Sequence, residues 1–312
     1  MASVEVLRNL VIVHTPGAQA LSDWLTVRDK IQSLAPDIDV RIASNTRFDP
    51  EMSRWQATRP SLVFSPVRLA QYVPSGGKVY AGWAEDKLDQ VKRLTAADLP
   101  IPTAFALLPF MPLRREVWGD FVIVKPRQGA SGNFVRLVRT EEVGPRYLEL
   151  TNNETSPMMV QKLIDHTDES GRLFQYRVLT LFSRPLYAAL WQSVERRKPL
   201  AAIADDRSAR IAINDHSTGR VPSLTNDVEV LALASKVGKI CPDFPCLGVD
   251  IVRERSTGAL WVLETNSGGQ VWHLSSSTNL SSAAEKKARY KQFGALNLTA
   301  ELLIEKTRKE AR

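Results

Sequence analysis

Cysteine is nearly absent from this chain. The two present, Cys241 and Cys246, end the segment Cys-Pro-Asp-Phe-Pro-Cys. One pair cannot staple 312 residues, and the gap is not zinc-finger spacing. Both read as small buried hydrophobes in a reducing compartment, so the cytoplasm is the expected location. Long apolar runs are missing too. Leu10 to Val13 is far too short to span a bilayer, and Met1 to Leu10 has neither the basic start nor the apolar stretch of a secretory signal. No membrane partner is expected. Charge of one sign does not dominate: Lys plus Arg is 41 against 34 for Asp plus Glu, a net of +7 that favours anionic partners, phosphates first. The aromatics are scattered rather than interleaved with a basic stripe, so no single-strand stacking platform is evident and nucleic acid is not the expected partner. No Ser/His/Asp arrangement, internal repeat or heptad seam is apparent.

What is present is an ordinary globular composition, 44% hydrophobic and 24% charged, which excludes wholesale disorder. The length suits two or three lobes. Leu10 to Val13 reads as a buried strand, followed by the turn His14-Thr15-Pro16-Gly17 and a helix with Leu21, Trp24, Leu25, Val27 and Ile31 on its apolar side. Further strands near Val40 to Ala43, Leu62 to Phe64 and Lys78 to Ala81 predict a parallel α/β lobe over residues 1–84. From Glu85 a helix carries Leu88, Val91 and Leu94 and ends before Leu99-Pro100-Ile101-Pro102. The strand Phe121 to Pro126 then leads through the small-residue loop Arg127 to Asn133 into the apolar segment Phe134 to Val138. Strand, glycine loop, strand is a hairpin, whereas a Walker loop needs strand, loop, helix. Residues 85–157 form the expected second lobe and 158–312 the third, with consecutive strands, a helix over 227–240 and a basic C-terminal helical stretch from Ala283.

The most informative stretch runs from Leu247 to Asn266. With its hairpin centred on Thr257, Asp250 lies opposite Glu264, and Asn266 follows on the same face by the two-residue period. Like charges facing one another in a sheet are unfavourable, so the pair wants a cation. Two carboxylates and an amide carbonyl are hard oxygen donors that suit Mg²⁺ holding substrate phosphates. Taken singly, each residue has a blander reading. Asp250 or Glu264 could cap or pair with an arginine such as Arg253, Lys125 could be a strand-end lysine reaching solvent, and Lys87 could lie on a solvated helix face. Arg177 could belong to the polar face of an edge strand.

The order of these residues along the chain resembles the ATP-grasp superfamily of ligases. The matching series is Asp86-Lys87; Val124-Lys125-Pro126 with the loop Gly129 to Asn133; Val160-Gln161-Lys162-Leu163-Ile164; Tyr176-Arg177-Val178; Gly248-Val249-Asp250; and Glu264-Thr265-Asn266. It covers roughly residues 1 to 280, and it looks closest to the ribosomal-protein glutamate ligase type. The resemblance implies an α/β (α+β) ATP-grasp fold with an N-terminal pre-ATP-grasp lobe, and ATP with Mg²⁺, two ions or Mn²⁺ in their place. It implies that Lys87 and Lys125 hold the phosphates under a lid containing Gly129, Ser131 and Gly132. It places adenine against Gln161, Lys162, Leu163 and Ile164 and the ribose on Asp168. Metal ligation falls to Asp250, Glu264 and Asn266, and catalysis to Lys125 and Arg177.

The family pattern is not complete. Asn133 stands where a second glycine is usual, and Ser267-Gly268-Gly269-Gln270-Val271-Trp272-His273 replaces the common Ser-Pro-Gly. An arginine among Arg196, Arg197, Arg207 and Arg210 would meet the acyl phosphate, and which one is open. The implied activity is amide or peptide-bond formation between a carboxylate and an amine through an acyl phosphate. The substrates would be small molecules or a peptide or protein acceptor. An ATP-grasp kinase of a small molecule and a non-catalytic nucleotide-binding module are the alternatives. His14 to Gly17, Trp191 to Asn214 and the turn after Asn266 are the expected substrate determinants, with His273 a candidate base.

Overall fold

The computed structural model describes residues 7–129, 132–152, 156–206, 219–268, 271–277 and 282–312. Ser131, Arg207, Arg210, Gly269 and Gln270 lie outside these. Strands β1 (Arg8–His14), β2 (Ile38–Ser44), β3 (Ser61–Ser65) and β4 (Lys78–Ala81) form a parallel sheet in the order β2-β1-β3-β4. The unbroken apolar run of β1 is buried throughout, as a strand covered on both faces requires. Helices α1 (Leu21–Leu34) and α2 (Pro50–Gln56) connect its strands. The expected apolar side of α1 needs correction: Leu21 and Leu25 are exposed, and the buried stripe is Asp23, Trp24, Val27 and Ile31. Asp23 can lie in it because its carboxylate accepts from Trp272 Nε1 (2.8 Å), Ser275 Oγ (2.6 Å) and Tyr290 OH (2.8 Å).

Helix α3 (Lys87–Ala96) starts where Asp86 accepts from the Leu88 N–H at 2.8 Å. It buries Leu88, Val91 and Leu94. A second, antiparallel sheet has the order β5-β8-β6-β7, from β5 (Ala104–Ala106), β6 (Phe121–Pro126), β7 (Arg136–Arg139) and β8 (Met158–Lys162). Short helices α4 (Arg115–Trp118) and α5 (Tyr147–Thr151) lie along its chain. A division of the chain at 157/158 separates β8 from the sheet it completes. Strand β7 begins later than the expected Phe134 because Phe134 is itself left-handed (φ 59°) and exposed, which extends the loop turn begun at Gly132 (φ 68°).

The third sheet is antiparallel, in the order β11-β10-β9-β12-β13. Its strands are β9 (Arg172–Leu181), β10 (Arg184–Arg196), β11 (Arg220–Leu224), β12 (Cys246–Arg253) and β13 (Leu260–Asn266). Helix α6 (Leu200–Asp205) follows β10. Helix α7 (Val228–Ile240) shares a core with α3 and β12 through Val230, Leu233, Val237, Leu88, Val91, Val249 and Ile251. The basic C-terminal stretch is two helices, α8 (Ala283–Gln292) and α9 (Ala295–Glu310), broken at the left-handed Gly294 (φ 64°). One core runs from Leu10, Trp24 and Ile31 through Trp272 and Leu303 to Leu181 and Tyr187, fastening the first sheet to the third. Among the described residues no helix is long and apolar enough to cross a membrane.

Candidate active site

The site grows from the period-two alternation of three neighbouring strands. Asp250 on β12 stands opposite Arg177 on β9 and Glu264 on β13, and Gly248 stands opposite Asn266, so all five share one face. The register expected for Asp250 and Glu264 is the observed one. It shifts by one residue beyond Asp250, where a bulge pairs Ile251 with Val262 and leaves Leu263 extra.

Asp250 is 1% exposed and Arg177 7%. Arg177 donates through Nη2 to Asp250 Oδ2 at 2.8 Å, and a second contact joins Nε to Oδ1. The bland pairing thus exists, but with Arg177 rather than Arg253, which binds Asp227 and Glu229. Asn266 Nδ2 lies 3.1 Å from Asp250 Oδ2 and 3.5 Å from Glu264 Oε1. Burial pushes the Asp250 carboxyl up to about 6, against the pull of Arg177 and with a further push from Glu264. Burial works the same way on Glu264, but Lys87, Lys125 and Arg177 together overcome it and hold that carboxyl below its ordinary value.

Lys125 is the penultimate residue of β6 and is 7% exposed. Burial brings its ammonium down to about 8, with Lys87 adding to the fall and Glu264 and Asp250 opposing it. Lys87, at the first turn of α3, lies 3.8 Å from Glu264 Oε2 and donates to the Gly129 carbonyl at 2.8 Å. Its neighbour Asp86 pairs with Arg127 at 2.9 Å, so the same helix end holds the root of the glycine loop.

One cavity, with about 970 Å³ of empty space including its mouth, brings together most of the expected residues. Lys87, Lys125, Gly129, Gly132, Gln161, Lys162, Leu163, Ile164, Asp250 and Glu264 all line it. Asp168 does not; its carboxylate accepts from Ser170, the Arg172 N–H and Gln192. Residues the sequence reading passed over also line the wall, His166, Leu173 and Gln175, and so does Arg197, one of the arginines expected near the acyl phosphate. Arg197 is held by Asp165 at 2.9 Å and His166 Nδ1 lies 3.0 Å from the Ile164 carbonyl. Gln175 precedes Arg177 by two on the same strand face, and its side chain opposes the rise of the Asp250 carboxyl, a placement the period could have supplied.

The donor set fits a hard divalent cation. Among the described residues no cluster of three or more His, Cys, Asp and Glu exists, and the set is two carboxylates plus an amide. Ligation requires the Asn266 amide to present its oxygen rather than its nitrogen to the carboxylates, a rotation that changes no packing. The cavity fits a purine at its far wall, where the buried Gln161 Nε2 has no hydrogen-bond partner.

No family model matches this sequence, and no curated protein matches it. Solved structures do. The ATP-grasp ligase PsnB complexed with a minimal precursor is 15% identical, with a TM-score of 0.53 over 96% of this chain and 99% of that one. The RimK domain ATP-grasp protein from Sphaerobacter thermophilus is 10% identical, with a TM-score of 0.52 over 94% and 98%. D-Alanine–D-alanine ligase from Bacillus anthracis is 12% identical, with a TM-score of 0.50 over 97% and 98%. The fold is the ATP-grasp fold. The likeness covers 94–97% of this chain and nearly all of each of the three others.

Two further placements matter within the ATP-grasp fold. Trp272 is fully buried, 4.6 Å from Trp24 between ring centroids, so it is core and not pocket wall. Gly17 accepts from both the N–H and the hydroxyl of Ser277 at 2.8 Å, which brings the first turn to the segment that follows the proposed metal strand.

Proposed function

We propose that the protein is an ATP-dependent carboxylate–amine ligase that works through an acyl phosphate. The observation that carries this reading is the meeting of Lys87 and Lys125 with Asp250 and Glu264 at one cavity. A carboxylate is a poor electrophile. Transfer of the γ-phosphoryl group to its oxygen, with departure of ADP, gives an acyl carbon that an amine can attack as phosphate leaves. Lys87 and Lys125 hold the phosphates, and their ammonium charges oppose the negative charge of the transferring group. Arg177 faces the transferred phosphate once its hold on Asp250 is shared. Asp250, Glu264 and Asn266 would hold Mg²⁺, which would supply charge neutralisation at the phosphates. Gln161 to Ile164 take the adenine. A ribose contact from Asp168 requires that carboxylate to leave Gln192 and Ser170, and the reading does not depend on it. The glycine loop from Gly129 excludes water from the acyl phosphate.

In this reading the lobes are 1–84, 85–162 and 163–312, with β8 counted in the middle one. Two free buried thiols, Cys241 and Cys246, suit a reducing compartment such as the cytoplasm. Because one structural neighbour is complexed with a precursor and another is named for D-alanine, both peptide and small-molecule acceptors belong in the test. The experiment is release of ADP and phosphate from Mg-ATP with pools of amino acids, small carboxylates and acidic peptides, and Glu264→Gln as control. Turnover that needs both an acid and an amine and drops at least 100-fold in the control, roughly the loss of one electrostatic catalytic group, supports the ligase. A phosphorylated product without phosphate release points to a kinase. Binding of ATP without turnover in any pool points to a nucleotide-binding module.

A further inference from the structure

The far wall of the nucleotide cavity is shaped by the segment from Ile164 to Phe174, which doubles back on itself after Asp168. The Asp168 N–H donates to the Arg172 carbonyl at 2.9 Å, and the Arg172 N–H donates to Asp168 Oδ1 at 2.9 Å. Ser170 and Gln192 also donate to that carboxylate, so the acid that the resemblance offers for the ribose serves as a structural tie. Thr167 bridges Leu173, and the Phe174 N–H donates to the His166 carbonyl at 3.1 Å. His166 is thereby fixed through its backbone, and it lines the cavity two residues after Ile164.

The protonation of its ring follows from the one hydrogen bond the ring makes among the described residues. Nδ1 lies 3.0 Å from the Ile164 carbonyl oxygen, which can only accept, so Nδ1 carries the proton. Burial holds the imidazole below its ordinary value against that carbonyl, and Arg197 adds to the fall while Asp165 opposes it. A neutral ring protonated at Nδ1 keeps a lone pair on Nε2. Among the described residues Nε2 has no partner, and it is not sealed in the interior as Gln161 Nε2 is. Its neighbours on this wall offer no such acceptor. Leu173 is apolar, Arg197 only donates and is held by Asp165, and the Gln175 side chain acts on Asp250.

We infer that His166 Nε2 accepts a hydrogen bond from a ribose hydroxyl of the bound nucleotide, and that this contact makes the site discriminate against deoxynucleotides. The inference rests on the nucleotide reading of the cavity. A nucleotide that reaches from Gln161–Ile164 to the two lysines carries its sugar along the face of β9. There Leu173 and Gln175 lead from His166 toward Asp250, by the same two-residue period that places Arg177. An imidazole thus stands where the resemblance expects a carboxylate.

The test is calorimetric titration of the full chain at pH 7.5 with the magnesium complexes of ADP, 2′-deoxy-ADP, 3′-deoxy-ADP and inosine diphosphate. In the wild type one of the two deoxy analogues is expected to bind roughly tenfold more weakly than ADP, because it leaves the acceptor stranded. Which analogue suffers names the hydroxyl. In His166→Leu, ADP should fall to the level of that analogue, the two binding within about twofold of each other. His166→Phe, which keeps a ring but no acceptor, is the second variant and should behave alike. Each ratio is taken within one protein, so a misfolded fraction does not move it. A ribose preference that survives both substitutions overturns the inference, and so does its absence from the wild type. An ADP-over-inosine preference erased in its place moves the contact to the base and overturns it too. Wild-type protein that binds no Mg-ADP removes the nucleotide reading itself, and the inference with it.

Discussion

Gly248 has no side chain at the point where Arg177 crosses β12, and Gly248→Ala tests whether that vacancy seats the arginine. A Cβ built there lies 2.9 Å from Arg177 Nη1, while the next atoms, Arg177 Cδ and Asn266 Cβ, are at ordinary contact of 3.6 and 3.7 Å. The guanidinium must therefore retreat by about half an ångström to reach ordinary contact, and its 2.8 Å bond to Asp250 has little slack. Breaking a buried pair outright costs roughly 3–5 kcal/mol, so a partial loss of about 1.5–2 kcal/mol is expected. In an Arg177→Ala background the obstacle is gone. There the same substitution should be neutral or, because alanine suits a strand better than glycine, stabilising by up to about 1 kcal/mol. The coupling energy from the four proteins is thus about 2 kcal/mol, within what touching residues show. Urea unfolding at pH 7.5, followed by tryptophan fluorescence, measures it. A cost above about 1 kcal/mol in both backgrounds would refute the argument, because the alanine would then be harming the sheet and not the arginine.

Four other expectations can be checked. Lys125 is protonated with difficulty in the fold, so between pH 8 and 10.5 the unfolded chain binds more protons than the folded one. Its burden of about 3 kcal/mol is fully present below pH 8 and lifts as pH rises through that window. Lys125→Met should therefore raise unfolding stability at pH 7 by up to about 3 kcal/mol, seen in urea titrations, while Mg-ATP affinity falls. In the wild type, phosphate release should decline above about pH 8 as the ammonium is lost. Trp272→Ala should cost roughly 3–5 kcal/mol of stability with the nucleotide affinity of the remaining folded protein unaltered, since the ring is core. Asp168→Asn should leave the Mg-ADP dissociation constant within twofold, because its carboxylate faces Ser170 and Gln192 rather than the cavity.

The strands were legible in the sequence wherever one local period governed them. The run Leu10 to Val13 announces a buried parallel strand, and alternation about Thr257 puts Asp250 opposite Glu264. The extra residue at Leu263 was not legible, since a bulge breaks the period that would reveal it. Long-range choices escaped for another reason. Asp250 takes Arg177, 73 residues away, over Arg253, three residues away, and only the strand order decides that. Asp23 enters the buried stripe of α1 because three donors from the C-terminal third reach it, and no reading of α1 alone supplies them. Trp272, in the turn expected to determine the substrate, is core for the same cause: its partner Trp24 lies at the other end of the chain.

The first turn of α3 grips the glycine loop twice, through Asp86 on Arg127 and through Lys87 on the Gly129 carbonyl. The helix and the loop are thereby geared together, and Lys87 adds the nearby Glu264 to the train. In the proposed ligase, a phosphate that drew Lys87 away from the Gly129 carbonyl would give up one of these two grips and leave the other in place. Substitutions on the outer face of α3, far from any reacting atom, would then be read out as changes in nucleotide affinity.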